Sequence, residues 1–316
     1  MEPISLSLDI TAALPDDVTQ GQNLSIAAWA FAPDRAQEPG RQPEVIALLN
    51  GGTYDKRYFH AQIPGHSGYS MAEHLRDLGH VVILLDHLGI GESSRAPDQM
   101  QVTRQVAAMA NHAAVQQCYE RLRAGTLDPS IAPMPAFLKV GGGHSMGGMQ
   151  TITQQANHAT YDRVLVLGYT AIGVHLTVGG ALVSVHPGEL DPSQPDYSLR
   201  DRSFLRSTFH WEDVPDAVLA ADDALLVDVP YVLSTQSIMA GIVTQDAGRI
   251  AVPVYICLGE TDVSPDPHAE PGFYKGSPDV TLHILPRSGH CQNFASTRAV
   301  MWDRIDAWIR SIPQES

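Results

Sequence analysis

Residues 137–153 read Phe-Leu-Lys-Val-Gly-Gly-Gly-His-Ser-Met-Gly-Gly-Met-Gln-Thr-Ile-Thr, and this stretch decides the predicted fold. An apolar run from Phe137 to Gly141 precedes a turn, and a helix-compatible run from Met149 to Thr153 follows it. The turn, Gly143-His144-Ser145-Met146-Gly147, sets a serine between small residues, as a sharp strand-to-helix turn requires. Composition alone yields a Gly-x-Ser-x-Gly about 0.15 times per chain, so the surrounding strand and helix make the pattern informative. The stretch therefore predicts an exposed, nucleophilic Ser145.

Other short apolar runs bounded by turn residues predict further strands. Together with the run at Phe137 to Gly141 they are Leu24 to Phe31, Val45 to Leu49, Val81 to Asp86, Val164 to Gly168, Val252 to Leu258 and Val280 to Leu285. Most are continuously apolar, which is typical of strands covered on both faces of a parallel sheet. We expect the first two to form an antiparallel edge and the others a mostly parallel sheet.

Helical patterns separate these strands. Between Gln99 and Arg123, apolar side chains recur near helical spacing, and Gly125 is a stop signal for this helix. A second helix is predicted from Met301 to Ile312, where the apolar residues share a single face. Alternating strands and helices predict an α/β fold. From about Ala171 to Gln245 the alternation stops in a polar, proline-containing segment. We therefore predict an α/β core of residues 1–170 and 247–316, with an inserted helical cap, or lid, at 171–246.

Composition limits the class of function. The chain has 316 residues and a formal net charge of −15, which disfavours nucleic acid and anionic membrane surfaces as partners. No stretch approaches the roughly 18 apolar residues of a spanning helix, and the opening Met1-Glu2-Pro3-Ile4 lacks the features of a secretory signal. We expect a cytoplasmic protein that acts on a small molecule, and the sequence leaves a homo-oligomer open.

A serine hydroxyl needs a base and a group that orients the base. Asp262 follows the strand that ends at Leu258, and His290 follows the strand that ends at Leu285. The order Ser145, Asp262, His290 is the one expected of a nucleophile on a strand-to-helix turn. Glu260 and Asp266 are rival acids. Cys291, one of three widely spaced cysteines, is interpreted as a packing residue despite its position beside His290.

Acyl transfer also needs backbone donors for an oxyanion. Met146, directly after the serine, supplies the first. The segment Asn50-Gly51-Gly52-Thr53-Tyr54 follows the strand Val45 to Leu49, and its glycines let the main chain approach a substrate. Gly52 is the predicted second donor, and Thr53 is the alternative.

Four segments together resemble the α/β-hydrolase fold superfamily. They are Leu49-Asn50-Gly51-Gly52, the loop Asp86-His87-Leu88-Gly89-Ile90-Gly91-Glu92-Ser93, the turn at Ser145, and Gly259-Glu260-Thr261-Asp262 with Gly289-His290. The resemblance covers nearly the whole chain outside 171–245 and implies a hydrolase whose cap sets the substrate. The chain departs from the family at Asn50, where histidine is usual, and at Gly141 and Gly142.

The sequence disfavours a nucleotide-dependent function. Gly89-x-Gly91-x-x-Ser94 imitates a dinucleotide fingerprint, but Pro97 interrupts the helix that would hold the pyrophosphate. No phosphate-binding loop and no His-Glu-x-x-His motif occurs. The sequence therefore implies neither a cofactor nor a metal.

The sequence favours a carboxylic ester or lactone of a neutral, partly hydrophobic small molecule as the substrate. Candidate substrate contacts are Tyr54, His144, Phe209 and Trp211, and the absence of an arginine cluster disfavours charged metabolites. Two alternatives stay open: cleavage of a carbon–carbon or thioester bond by the same three residues, and a binding protein that has lost turnover.

Overall fold

The computed structural model describes residues 2–33, 42–178, 181–186, 190–191, 193–194, 196–198 and 202–312. The strands are β1 (Ile4–Asp9), β2 (Ser25–Phe31), β3 (Glu44–Leu49), β4 (Val81–Leu85), β5 (Leu138–His144), β6 (Arg163–Leu167), β7 (His175–Val178), β8 (Ala181–Ser184), β9 (Tyr197–Ser198), β10 (Val229–Pro230), β11 (Val254–Gly259) and β12 (Val280–Leu285). The α-helices are α1 (Asp16–Thr19), α2 (Met71–Asp77), α3 (Arg104–Ala124), α4 (Met146–His158), α5 (Arg206–Phe209), α6 (Asp216–Ala224), α7 (Tyr231–Ser237), α8 (Thr244–Arg249) and α9 (Arg298–Ser311).

The described chain forms an eight-stranded sheet in the order β1-β2-β4-β3-β5-β6-β11-β12. From β4 to β12 neighbouring strands are parallel, and β2 is antiparallel to both β1 and β4. The mostly parallel α/β architecture with flanking helices is thus confirmed. The carboxyl ends of the parallel strands meet at one edge, where functional loops of such sheets gather.

One part of the predicted topology is wrong. The first two predicted strands do not pair as an antiparallel edge, because Glu44–Leu49 lies between β4 and β5 and is parallel to both. The antiparallel edge is instead β1 with β2. Strand β1, Ile4–Asp9, alternates exposed and less exposed residues at the sheet edge, so it lacks the continuous apolar run by which the other strands are detected.

Helices cover both faces of the sheet. On β3, the side chains of Val45, Ala47 and Leu49 belong to one apolar cluster, whereas Ile46 and Leu48 belong to the other. The first cluster includes residues of α3, α4 and α8, and the second includes residues of α2 and α9. Both faces of the strand are therefore buried, which explains its continuously apolar sequence.

Helix boundaries agree with simple capping rules. Helix α3 begins after Thr103, whose side chain accepts from the amide of Val106, and ends at Gly125, whose φ is 68°. Glycine takes this left-handed conformation without the steric cost that other residues bear. The structure divides the predicted helix from Gln99 into a 3₁₀ turn at Gln99–Gln101 and α3.

Between β6 and β11 the chain leaves the sheet. This segment, which we call the insert (residues 171–246), contains α5, α6 and α7 and the start of α8. It also holds the hairpin β7-β8 and the short pair β9-β10, which the sequence does not predict. Pro187, Pro192 and Pro195, which mark the insert in the sequence, lie outside the described residues. In the described ranges, no helix combines the length and the apolar character that crossing a membrane demands.

Candidate active site

Ser145 lies on a strained turn between β5 and α4. Its φ of 55° and ψ of −119° are uncommon for a residue with a side chain. Such a conformation costs on the order of 1–3 kcal/mol and persists only where the surrounding structure enforces it. Here β5 pairs with β3 and β6 on either side, and the amide of Ser145 donates to the carbonyl of Leu167 at 2.8 Å. The turn presents the hydroxyl at the carboxyl edge of the sheet.

Glycines around Ser145 allow this turn to pack. A Cβ atom on Gly143 would overlap the carbonyl of Gly147, and one on Gly147 would overlap the carbonyl of Leu49. Glycine is also required at position 141, because a Cβ there would overlap the ring of Tyr161. The glycine-rich approach to the turn is therefore a packing requirement of strand β5.

We expect Gly147→Ala to destabilise the protein by about 3 kcal/mol or more, because backbone atoms of β3 cannot move away as a flexible side chain can. Gly272→Ala is the matched control, since a Cβ at Gly272 meets nothing within 4 Å. Urea unfolding of both variants measures the difference. Equal stability of the two would show that the close approach of α4 to β3 is not required.

His290 joins Ser145 to Asp262. The hydroxyl of Ser145 lies 2.9 Å from Nε2 of His290, and Nδ1 of His290 lies 2.7 Å from Oδ1 of Asp262. His290 is 4% exposed and Asp262 is 8% exposed. Although the three residues lie far apart in sequence, they form one continuous hydrogen-bonded chain. The structure thus brings together the serine, acid and histidine that the sequence singles out.

Asp262 is held as an anion. Its carboxylate accepts hydrogen bonds from the amides of Gly259 at 2.8 Å and Val263 at 2.7 Å, and from Nε2 of Gln292 at 3.2 Å. Burial by itself would raise the pKa of Asp262, but the charge and hydrogen bond of His290 and the two amides lower it below its usual range. The rival acid Glu260 is exposed and accepts from the amide of Arg287 instead.

The insert holds the His290 loop. The amides of His290 and Cys291 both donate, at 2.9 Å, to the carbonyls of Thr208 and Phe209 at the end of α5. The ring of Phe209 lies 4.8 Å from that of His290. The position of the imidazole therefore depends on the insert as well as on β12.

His144 supports His290 from the other side. Its Nε2 donates to the carbonyl of His290 at 2.8 Å, and its ring stacks on Tyr58 with centroids 4.5 Å apart. Burial, together with the nearby His290, lowers the pKa of His144 to about 3. His144 is thus a neutral hydrogen-bond donor at neutral pH.

The loop after β3 lies against the serine turn. A Cβ on Gly51 would be 3.2 Å from Cβ of Ser145, and one on Gly52 would be 3.8 Å from Cβ of Met146. Met146 is the first residue of α4, where helix amides lack intrahelical acceptors. The structure therefore places the two predicted oxyanion donors, Gly52 and Met146, against each other at the turn that holds Ser145.

Asn50 sets the path of this loop. Its side-chain amide donates to the carbonyls of Gly51 and Tyr54, and its own carbonyl accepts from Nε2 of His87 at 2.9 Å. Burial lowers the pKa of His87 to about 4. Asparagine in place of the histidine that is usual in the family thus closes the turn through its side chain.

We expect the free energy of unfolding to fall as the pH decreases from about 6.5 toward 4. His144 and His87 are neutral in the folded protein, whereas in the unfolded chain they bind protons near pH 6.5. Each contributes about 1.4 kcal/mol per pH unit over this window. Urea unfolding at several pH values measures the slope, and His144→Asn should reduce it. An unchanged slope in that variant would contradict the assignment.

Ser145 opens into a cavity of about 290 Å³. Its walls are mostly apolar and come largely from the insert, including Leu176, Phe209, Val229 and Ile238. Tyr54, His144 and Phe209, three of the predicted contacts, line this cavity. The fourth does not: Trp211 lines a separate groove with Phe204, His210 and Leu219. Trp211 lies two residues after the end of α5, and its aromatic character does not show which of the two surfaces it lines.

Two residues of this region are not predicted from the sequence: one lines the cavity wall and the other supports it. Arg202 lines the cavity, and the buried Asp222 pairs with it at 3.2 Å. The phenol of Tyr54 donates to Asp222 at 2.5 Å. Since 20 residues separate Arg202 from Asp222, no local pattern indicates the pair. Cys291 lies near this group, 1% exposed, and burial raises the pKa of its thiol.

Comparison with known proteins agrees with this geometry. A family model described as the alpha/beta hydrolase family matches residues 46–301, so the chain belongs to that family. No curated protein matches the sequence significantly.

Solved structures show the same fold. An esterase from Exiguobacterium antarcticum is similar with a TM-score of 0.64 at 15% identity, covering 92% of this chain and 97% of that one. A thermophilic esterase from Thermogutta terrifontis has a TM-score of 0.59 at 17% identity, covering 96% and 98%. A bromoperoxidase from Bacillus anthracis has a TM-score of 0.60 at 15% identity, covering 97% and 100%. At such identities the likeness concerns the fold alone.

Proposed function

We propose that the protein is a serine hydrolase that cleaves a carboxylic ester or lactone of a largely apolar small molecule through an acyl-Ser145 intermediate. The observation that carries the proposal is His290, which bridges the hydroxyl of Ser145 and the carboxylate of Asp262 at 2.9 and 2.7 Å. Hydrogen-bonded pairs of this kind are the structural signature of an activated nucleophile.

In the proposed mechanism, His290 removes the proton of Ser145 as the oxygen attacks the carbonyl carbon. Asp262 fixes the tautomer of His290 through Nδ1 and stabilises the imidazolium. The amides of Met146 and Gly52 donate to the oxyanion that forms. His290 then gives its proton to the leaving alcohol, water attacks the acyl-enzyme with His290 again as base, and Ser145 is restored.

The insert acts as the cap in this proposal. It supplies most of the apolar wall above Ser145 and also holds the His290 loop. The cap therefore selects the substrate and helps to position the base. The predicted cytoplasmic location, the absence of nucleic-acid and membrane partners, and the oligomeric state stay predictions.

A panel of p-nitrophenyl esters of rising acyl length tests the function. We expect turnover that increases from acetate as apolar contact grows and decreases once the chain outgrows the cavity. Thioesters of the same acyl groups, run in parallel, distinguish the thioester alternative. If the folded protein cleaves no ester in the panel above the rate of its Ser145→Ala variant, the proposed function is wrong.

A further inference from the structure

A buried polar group forms part of the mostly apolar wall of the Ser145 cavity. Its centre is the carboxylate of Asp222, which is 1% exposed. The carboxylate accepts from the phenol of Tyr54 at 2.5 Å, from Nε2 of His210 at 2.9 Å and from Arg202 at 3.2 Å. Both of its oxygens are thus occupied by donors of the protein.

Arg202 is the member of this group that has donors to spare. Its side chain is 9% exposed and lies over the rings of Tyr54 and Phe209, 4.5 and 5.3 Å from their centroids. One nitrogen contacts Asp222, whereas Nε and Nη1 are buried and have no hydrogen-bond partner in the part of the chain that the structure describes. Two donors of a buried guanidinium are therefore unsatisfied.

Unsatisfied donors on a buried cation are costly, and native proteins rarely keep them without a reason. An acceptor on a molecule bound in the cavity that Arg202 lines with Ser145 and His290 would supply a partner that the described chain does not. A carboxylate matches the parallel N–H groups of a guanidinium fork, which here are one of the two free nitrogens and the second N–H of Nη2, whose first N–H contacts Asp222. A cation is disfavoured there, because Arg202 is positive and the oxygens of Asp222 are already used.

We propose that Arg202 binds a carboxylate group of the substrate, so that the preferred ester or lactone carries an anionic group on its apolar body. This inference rests on the proposed function and specifies its substrate class. The sequence favours a neutral substrate because it contains no arginine cluster. A single buried arginine with free donors can bind a carboxylate without such a cluster, so we propose an anionic substrate instead. Tyr54 and Asp222 position the guanidinium and do not themselves contact the substrate carboxylate.

Hydrolysis of a matched pair of esters tests the preference. The anionic member is the mono-p-nitrophenyl ester of adipic acid, and the neutral member is the same compound with its free acid capped as a methyl ester. We expect the wild type to have a kcat/KM at least 10-fold higher for the anionic ester. Arg202→Met should lower that value roughly 10- to 100-fold, the effect of losing a hydrogen-bonded charge pair, and so bring the ratio of kcat/KM between the anionic and the neutral ester close to one.

Arg206→Met is the matched control. It removes the same charge four residues along the chain, from a side chain that is 53% exposed and paired with Asp223 at 3.3 Å. We expect it to leave the anionic preference unchanged, which separates local binding from long-range attraction. If Arg202→Met does not fold, Arg202→Lys keeps the positive charge but loses the fork, and the preference should fall without disappearing.

Binding without turnover keeps the two proposals distinguishable. In the Ser145→Ala background, calorimetry should show that monomethyl adipate binds at least 10-fold more tightly than dimethyl adipate, and that Arg202→Met abolishes the difference. Such binding with no ester cleaved by the wild type would overturn the proposed function alone. Cleavage of esters with equal kcat/KM for the two members of the pair, or an anionic preference that survives Arg202→Met, would overturn the anion site alone.

Discussion

Replacing Ser145 by alanine is expected to lower the turnover of any cleaved ester by on the order of 10⁵-fold or more, with little change in stability. The hydroxyl is the proposed nucleophile, and no acyl intermediate can form without it. The side chain lies in the open cavity, so the smaller methyl group leaves backbone packing at the turn intact. Initial rates, corrected for the spontaneous hydrolysis of the ester, give the ratio.

Ser130→Ala serves as the control for this experiment. Ser130 is an exposed serine whose hydroxyl contacts Asp128, and its loss should leave turnover unchanged. A Ser145→Ala enzyme with more than about a tenth of the wild-type rate would assign the reaction to another group.

Replacing Asp262 by asparagine is expected to lower kcat by about 10⁴-fold. An amide in this position can donate to Nδ1 of His290, which would leave the proton on Nε2, where the imidazole cannot accept from Ser145. The substitution also removes the charge that stabilises the imidazolium. Because Asp262 accepts from the amides of Gly259 and Val263, some loss of stability should accompany the loss of rate.

The matched control is Glu260→Gln, which makes the same change two residues earlier. Glu260 is exposed and its carboxylate accepts from the amide of Arg287, away from His290, so its neutralisation should change kcat by less than about threefold. The reverse result, a large loss at Glu260 and a small one at Asp262, would reassign the acid.

The sequence predicts the core of the fold well because a strand that is buried on both faces has a continuously apolar sequence. The strands β3, β4, β6 and β11 are largely apolar runs whose residues are buried. Ser145, Asp262 and His290 follow the carboxyl ends of β5, β11 and β12. In a parallel sheet those ends share one edge, so chain order alone brings the three residues together. Strand β1 lies at the edge and alternates in exposure, so its sequence pattern is weak and the sequence predicts the wrong partner for the antiparallel pair.

The sequence does not predict which side chains of the insert line the cavity. Its side chains divide between the cavity and the outer groove, and aromatic character does not decide between them: Phe209 contacts His290, whereas Trp211 faces the groove. The pairing of Arg202 with Asp222 and Tyr54 joins α6, the loop after β3 and the chain before α5. Such tertiary pairs follow from packing, for which a single sequence gives no periodic signal.

The most direct test of an activated Ser145 is covalent labelling with a fluorophosphonate, followed by mass spectrometry of the labelled peptide. We expect one equivalent of label per chain on Ser145, and strongly reduced labelling in His290→Ala because the base is missing. The absence of label on the folded wild-type protein, or label on a residue other than Ser145, would contradict this expectation.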